Sequence, residues 1–203
     1  MTLLTDYLLG GLCVILSMRV LREGPSASRG PWAAAFAACA GAAFLGGTYH
    51  GFLPWLDEQV ASWLWKATLL TIGMGAFGAT VATARAHLTG RARSVVQVVA
   101  GLKLAAYAAG ALSTDAFLIA IIDYSLAFCF VLAMHAWAWL REGDSAGRWV
   151  VLGVMVSFLA AGIQAAGIAP HPQFNHNDLY HVVQMAGMWL LYRGAVRSRR
   201  AAR

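Results

Sequence analysis

Seven apolar stretches divide the chain, near residues 4–21, 31–53, 59–84, 94–112, 115–140, 147–168 and 177–196, and the short gaps between them alternate in charge. The thirteen arginines fall in or beside every second gap: Arg19, Arg22 and Arg29, then Arg85, Arg91 and Arg93, then Arg141 and Arg148, then Arg193, Arg197, Arg199, Arg200 and Arg203. The other gaps carry Asp57, Glu58, Asp115 and Asp178. A spanning helix needs about 20 apolar residues at 1.5 Å rise each, so each stretch predicts one crossing. Basic residues in short loops stay on the cytoplasmic side. The pattern therefore predicts an all-α, seven-transmembrane bundle with its N-terminus out and its C-terminus in. Seven spans use most of the 203 residues, so the chain reads as one domain, 1–203.

The turn chemistry agrees with these boundaries. Thr5-Asp6 reads as an N-cap pair for the first helix, Pro31 suits the first turn of the second, and Pro172 blocks early continuation into the seventh. The second stretch is full of alanine and glycine, a face that lets helices approach closely in lipid. Trp32, Trp55, Trp63, Trp137, Trp139 and Trp149 fall near the expected interfaces and read as an aromatic belt. The first stretch does not read as a signal peptide, because it has no basic leading segment and Asp6 stands where one would be.

Composition changes the picture in three places. The chain is 60% hydrophobic, with a net charge of +6. In a soluble protein that charge would point to nucleic acid. Here the arginines read as topology signals and headgroup contacts, so no nucleic-acid partner is expected. Cys13, Cys39 and Cys129 all lie inside expected spans and read as small apolar residues, not a disulfide framework. Two lysines against thirteen arginines point to a GC-rich bacterial genome, and so to a bacterial cell (inner) membrane.

The candidate chemistry lies in polar residues that a membrane span disfavours. The expected topology brings His50, Lys66, Gln164, His176, Asp178, His181, Gln184 and Asp6 to the outer half. Asp178, His181 and Gln184 are three apart and share a helix face. Histidines gathered on facing helices suit zinc, which takes imidazole nitrogen and lowers the pKa of a bound water. Deeper, Lys103 and Asp123 both lie mid-span on consecutive helices and read as a buried ion pair.

Around two of these histidines the sequence resembles the CREST superfamily of seven-helix membrane proteins, which includes alkaline ceramidases and the progestin/adiponectin receptors. The likeness rests on Thr48-Tyr49-His50-Gly51-Phe52 at the end of the second span and Asn177-Asp178-Leu179-Tyr180-His181 at the start of the seventh. The resemblance implies His50 and His181 as zinc ligands. It also implies hydrolysis of a lipid amide, with a metal-activated water attacking the carbonyl near the outer face. Gly46 stands where the family has serine, Asn177 where it has its first helix-7 histidine, and the third span holds no aspartate. We therefore assign the third ligand to His176 and the general base to Asp178 or Asp57. His176 is five residues from His181, a poor spacing on a regular helix, but can coordinate from the irregular segment before the first turn. Lys66 and Gln184 are expected at the same polar site. The alternatives are a non-enzymatic lipid receptor or sensor on the same scaffold and a haem protein ligated by His50 and His181. A proton-coupled transporter using Lys103 and Asp123 would be expected to carry an internal repeat, which the chain lacks. A retinal protein would need a lysine in the seventh span.

Overall fold

A computed structural model of the chain describes residues 1–24 and 26–198. It contains seven helices: α1 (Thr2–Arg22), α2 (Arg29–Phe52), α3 (Glu58–His87), α4 (Gly90–Ser113), α5 (Leu118–Glu142), α6 (Ser145–Ala165) and α7 (His176–Arg197). A short 3-10 turn, Leu53–Trp55, follows α2. Six of the seven, α1 to α6, are long and apolar enough to cross a membrane. The seventh is not among them, because His176, Asn177, Asp178, His181 and Gln184 crowd its first half.

The helices form a closed ring in the order α1, α2, α3, α5, α6, α7, with α7 returning to α1. The fourth helix stands outside this ring, packed mainly on α3. Consecutive helices are therefore not always the closest neighbours. The α3–α5 contact displaces α4, which is held at Gly73. There the Tyr107 ring occupies the space a Cβ would fill, and the Tyr107 hydroxyl donates to the Leu69 carbonyl at 2.7 Å.

Close approach is built from small residues. A Cβ on Gly153 of α6 would lie 2.8 Å from the Leu191 backbone nitrogen of α7, and one on Gly78 of α3 would lie 3.0 Å from the Ala35 nitrogen of α2. The main apolar core runs through Leu9, Cys13, Leu16, Trp32, Phe36, Val131, Val150 and Leu191.

Several local expectations shift. The first helix starts at Thr2, so Thr5 and Asp6 lie inside it, buried, and do not cap it. The fifth helix starts at Leu118, and Asp115, before it, pairs with Lys66 at 2.9 Å. The sixth ends at Ala165, and Gly167 turns the chain with φ of +65°. Trp32 is not part of an aromatic belt: it is 2% exposed, inside the bundle, whereas Trp55, Trp63, Trp137 and Trp139 are exposed. Cys129 faces outward, while Cys13 is buried, and all three cysteines are free thiols.

Ten arginines, from Arg19 to Arg197, gather at one end of the bundle. Arg199, Arg200 and Arg203 lie outside the described residues. At this end Trp149 is flanked by Arg148, Arg193 and Arg197, with guanidinium carbons 4.5 to 5.4 Å from the ring centroid. The Arg29 side chain reaches across to the Val196 carbonyl at 3.1 Å, tying the start of α2 to the end of α7.

Candidate functional site

The opposite end holds the polar cluster, and its centre is an interlocked set on α1 and α7. Asn175 caps α7 by accepting from the backbone N–H groups of Asn177 and Asp178, and Asp178 returns the bond by accepting from the Asn175 N–H at 2.9 Å. This capping box fixes the first turn of α7. It also fixes the rotamer of Asp178, which is fully buried. The other Asp178 oxygen lies 3.1 Å from the Thr5 hydroxyl of α1, and Thr5 Oγ1 lies 3.0 Å from His181 Nδ1. His181 Nε2 is 2.9 Å from Asp6 Oδ1. Asp6 can sit there because Gly47 of α2 faces it: a Cβ on Gly47 would come 2.7 Å from the Asp6 Cβ.

Proton counting constrains this chain. Thr5 has one hydroxyl proton, and an ionised carboxylate only accepts. Three acceptors lie within its reach: the Thr2 carbonyl at 3.0 Å, Asp178 Oδ1 and His181 Nδ1. A second proton is shared between His181 Nε2 and Asp6. Both ring nitrogens of His181 are occupied.

The ring of helices encloses a cavity of about 360 Å3, within the range of roughly 300–1,000 Å3 usual for small-molecule pockets. All six ring helices line it, and α4 contributes nothing. It is mostly apolar. Its polar groups are Asp6, His50, Gln164, Asn177, Tyr180 and His181 at or near one end, with Thr68, Tyr124, Ser157 and Gln184 along the walls. Along α7 it runs from Asn177 to Leu191, about 21 Å at 1.5 Å per residue. Trp32 lines the far end and lies against His135, with ring centroids 6.5 Å apart.

The expected site residues divide accordingly. His50 and His181 both line the cavity, His181 buried and His50 exposed at the mouth against Tyr49 and Trp65. Gln184 lines it too and donates to Ser157 Oγ at 3.1 Å. His176 does not line it; it is the first residue of α7, half-buried. Asp57 is exposed and caps α3 by accepting from the Gln59 N–H. Asp178 sits behind His181, held by Thr5 and Asn175, and is not in the cavity wall. Lys66 is turned away onto Asp115 and the Leu112 carbonyl. Lys103 and Asp123 form an ion pair, and Lys103 Nζ also reaches the Asp123 carbonyl at 3.2 Å.

These positions do not fit zinc. Among the described residues no three histidine, cysteine or carboxylate side chains come together as a metal-binding group. A metal at His181 would have to displace Asp6 or Thr5 from a ring nitrogen, and the same holds for haem iron. The resident partner of His181 is Asp6. The sequence placed Asp6 at the level of this cluster but gave it no role beyond a cap, although an acid buried in an apolar run is a signal in itself.

A second polar pair lies at the arginine end. His87 Nε2 of α3 is 3.1 Å from His135 Nδ1 of α5, and Thr83 Oγ1 is 3.4 Å from the other His135 nitrogen.

A family model matches residues 1–200, and the chain belongs to that family, described as a family of unknown function (DUF6962). No curated protein and no solved structure matches the chain. The likeness to CREST proteins therefore stays one of two short motifs.

Proposed function

We propose that this member of DUF6962 is an integral membrane protein that binds one single-chain amphiphile inside its helix ring, as a receptor, sensor or carrier of lipid. The observation that carries the reading is the shape and polarity of the cavity. It is a slot about 21 Å long with mostly apolar walls, and its ionisable groups Asp6, His50 and His181 gather at one end. A hydrocarbon chain gains nothing by leaving a bilayer for an apolar site, so affinity and selectivity must come from the polar end and from tight packing along the chain. A headgroup resting among Asp6, His50 and His181 meets this requirement. The alternating arginines support seven crossings, with α7 completing the ring, and a cell membrane of bacterial type. On this reading the arginine end faces the cytoplasm and the His181 end faces out.

The test is direct. The protein purified in mild detergent is extracted and its bound lipid identified by mass spectrometry. A fluorescent single-chain probe is then titrated into the emptied protein. Stoichiometric, saturable binding is expected, and it should be lost in Ala76→Phe, which fills the slot from α3 without touching the polar end. Binding unchanged by that substitution refutes the reading.

A second reading, hydrolysis of a lipid amide, is favoured by one feature: the His181–Asp6 pair faces a cavity able to hold an acyl chain. Release of fatty acid from an N-acyl probe, measured with and without chelator, tests it. Because the residues do not fit a zinc site, chelator should make no difference.

A further inference from the structure

We infer that the head group this cavity accepts is a hydrogen-bond donor, a hydroxyl or an ammonium, and that carboxylate and phosphate heads are turned away. The inference rests on the cavity being a lipid site, as proposed above, and specifies the ligand's chemistry there.

Asp6 is the first observation. Its side chain lines the cavity and is 7% exposed, and one oxygen is engaged by His181. The other oxygen, Oδ2, is buried and has no hydrogen-bond partner. A buried carboxylate oxygen left without a donor is costly, and native proteins leave few such atoms. Nothing among the described residues supplies that donor, and the cavity that Asp6 lines is the open space beside it. An oxygen that only accepts calls for a group that donates.

The charge of the wall is the second. No lysine or arginine lines the cavity among the described residues. Lys66, the nearest candidate in sequence, is taken by Asp115, and the arginines stand at the far end of the bundle. His181 is the one potential cation in the wall beside half-exposed His50, and both its nitrogens are engaged by Asp6 and Thr5. Asp178 stands behind it with a second carboxyl group. An anionic head would enter a region of low dielectric facing Asp6 with no free cation to meet it.

The amides are the third. Gln164 directs its Nε2 to Asn177 Oδ1 at 2.9 Å, and Gln184 directs its Nε2 to Ser157 Oγ at 3.1 Å. Their carbonyl oxygens accept nothing from the described residues, which adds two unused acceptors to Asp6 Oδ2. Asn177 Nδ2 is the matching unused amide donor. His50 and Tyr180 can donate or accept. These carbonyl oxygens give a donor-headed ligand acceptors besides Asp6.

The test uses the full chain in nanodiscs of neutral lipid, with protein-free discs as the partition control. Hexadecanol, hexadecylamine and hexadecanoate compete for a chain-labelled fluorescent alcohol. The alcohol and the amine should displace it, and the acid should be about tenfold weaker or more, the scale of one charge-assisted hydrogen bond lost. In Asp6→Asn the amine should weaken by a similar factor and the gap to the acid should close. Equal competition by the acid in wild type overturns the inference and leaves the cavity reading standing. Selectivity unchanged in a folded Asp6→Asn protein overturns it as well. Failure of the labelled probe and all three competitors to bind removes the cavity reading, and this proposal with it.

Discussion

Replacing Lys103 by methionine should be the most damaging single change at mid-depth. The stem is kept and the ammonium is lost, so Asp123 of α5 faces α4 with nothing to pair it. Asp123 is 4% exposed, and its Oδ2 already has no partner. Two magnitudes compete here. An ordinary interhelical hydrogen bond in a membrane protein contributes only about 0.6 kcal/mol on average. Stranding one member of a buried ion pair costs about 3–5 kcal/mol. The Lys103 side chain is 26% exposed at the edge of the ring, which places the expected loss at the lower end, about 3 kcal/mol, or roughly a hundredfold in the unfolding equilibrium. Reversible unfolding in mixed micelles, followed by helical ellipticity, reads it. The double variant Lys103→Met with Asp123→Leu removes both charges and should return to within about 1 kcal/mol of wild type, because an apolar pair at this depth needs no partner. A single variant that loses no more than about 0.6 kcal/mol would refute the reasoning. So would a double variant as unstable as the single.

Three further outcomes follow from the packing. Asn175→Ala removes the acceptor for two backbone N–H groups of α7 and should cost about 1 kcal/mol in the same unfolding assay; it should also loosen Asp178 and so the Thr5–His181 link. Gly47→Ala places a methyl 2.7 Å from the Asp6 Cβ and 2.9 Å from the Tyr7 ring, so about 1–3 kcal/mol should be lost, together with the head-group preference in the competition assay. Gly153→Val meets the Leu191 backbone nitrogen at 2.8 Å, where no flexible side chain can give way. It should separate α6 from α7 and cost 3 kcal/mol or more, on the order of the largest overpacking penalties, as read by loss of folded protein on size exclusion.

Much of the candidate site could be read from residue types, but its wiring could not. His50, His181, Gln184 and Gln164 stood out because a span tolerates few polar groups, and the alternation of the helices carries all four to one end. Lys103 and Asp123 could be matched because each was the lone mid-span charge of its helix, on consecutive helices. Asp6 was misread as part of a cap because helix starts are local and ambiguous: with Met1 as N-cap, the helix begins at Thr2 and buries the pair. Lys66 looked like a site residue because its register put it two turns inside α3, yet Asp115 in the turn before α5 captures it at 2.9 Å. Nothing in either segment announces that they meet.

The sequence by itself determined seven helices, their approximate bounds and the segregation of arginine to one end. It did so because hydropathy over about 20 residues and the charge of short loops act locally, one segment at a time. It also determined that polar groups crowd one end, since alternate helix ends must coincide. Only the tertiary structure decided that α3 packs on α5, that α4 is left outside, and that the ring so formed encloses a slot. Those outcomes depend on which small residues face each other, Gly78 to Ala35 and Gly153 to Leu191, and on Tyr107 seating over Gly73. The partner of His181 was decided the same way. Asp6 is 175 positions away in the chain, and Gly47 on a third helix leaves it the room.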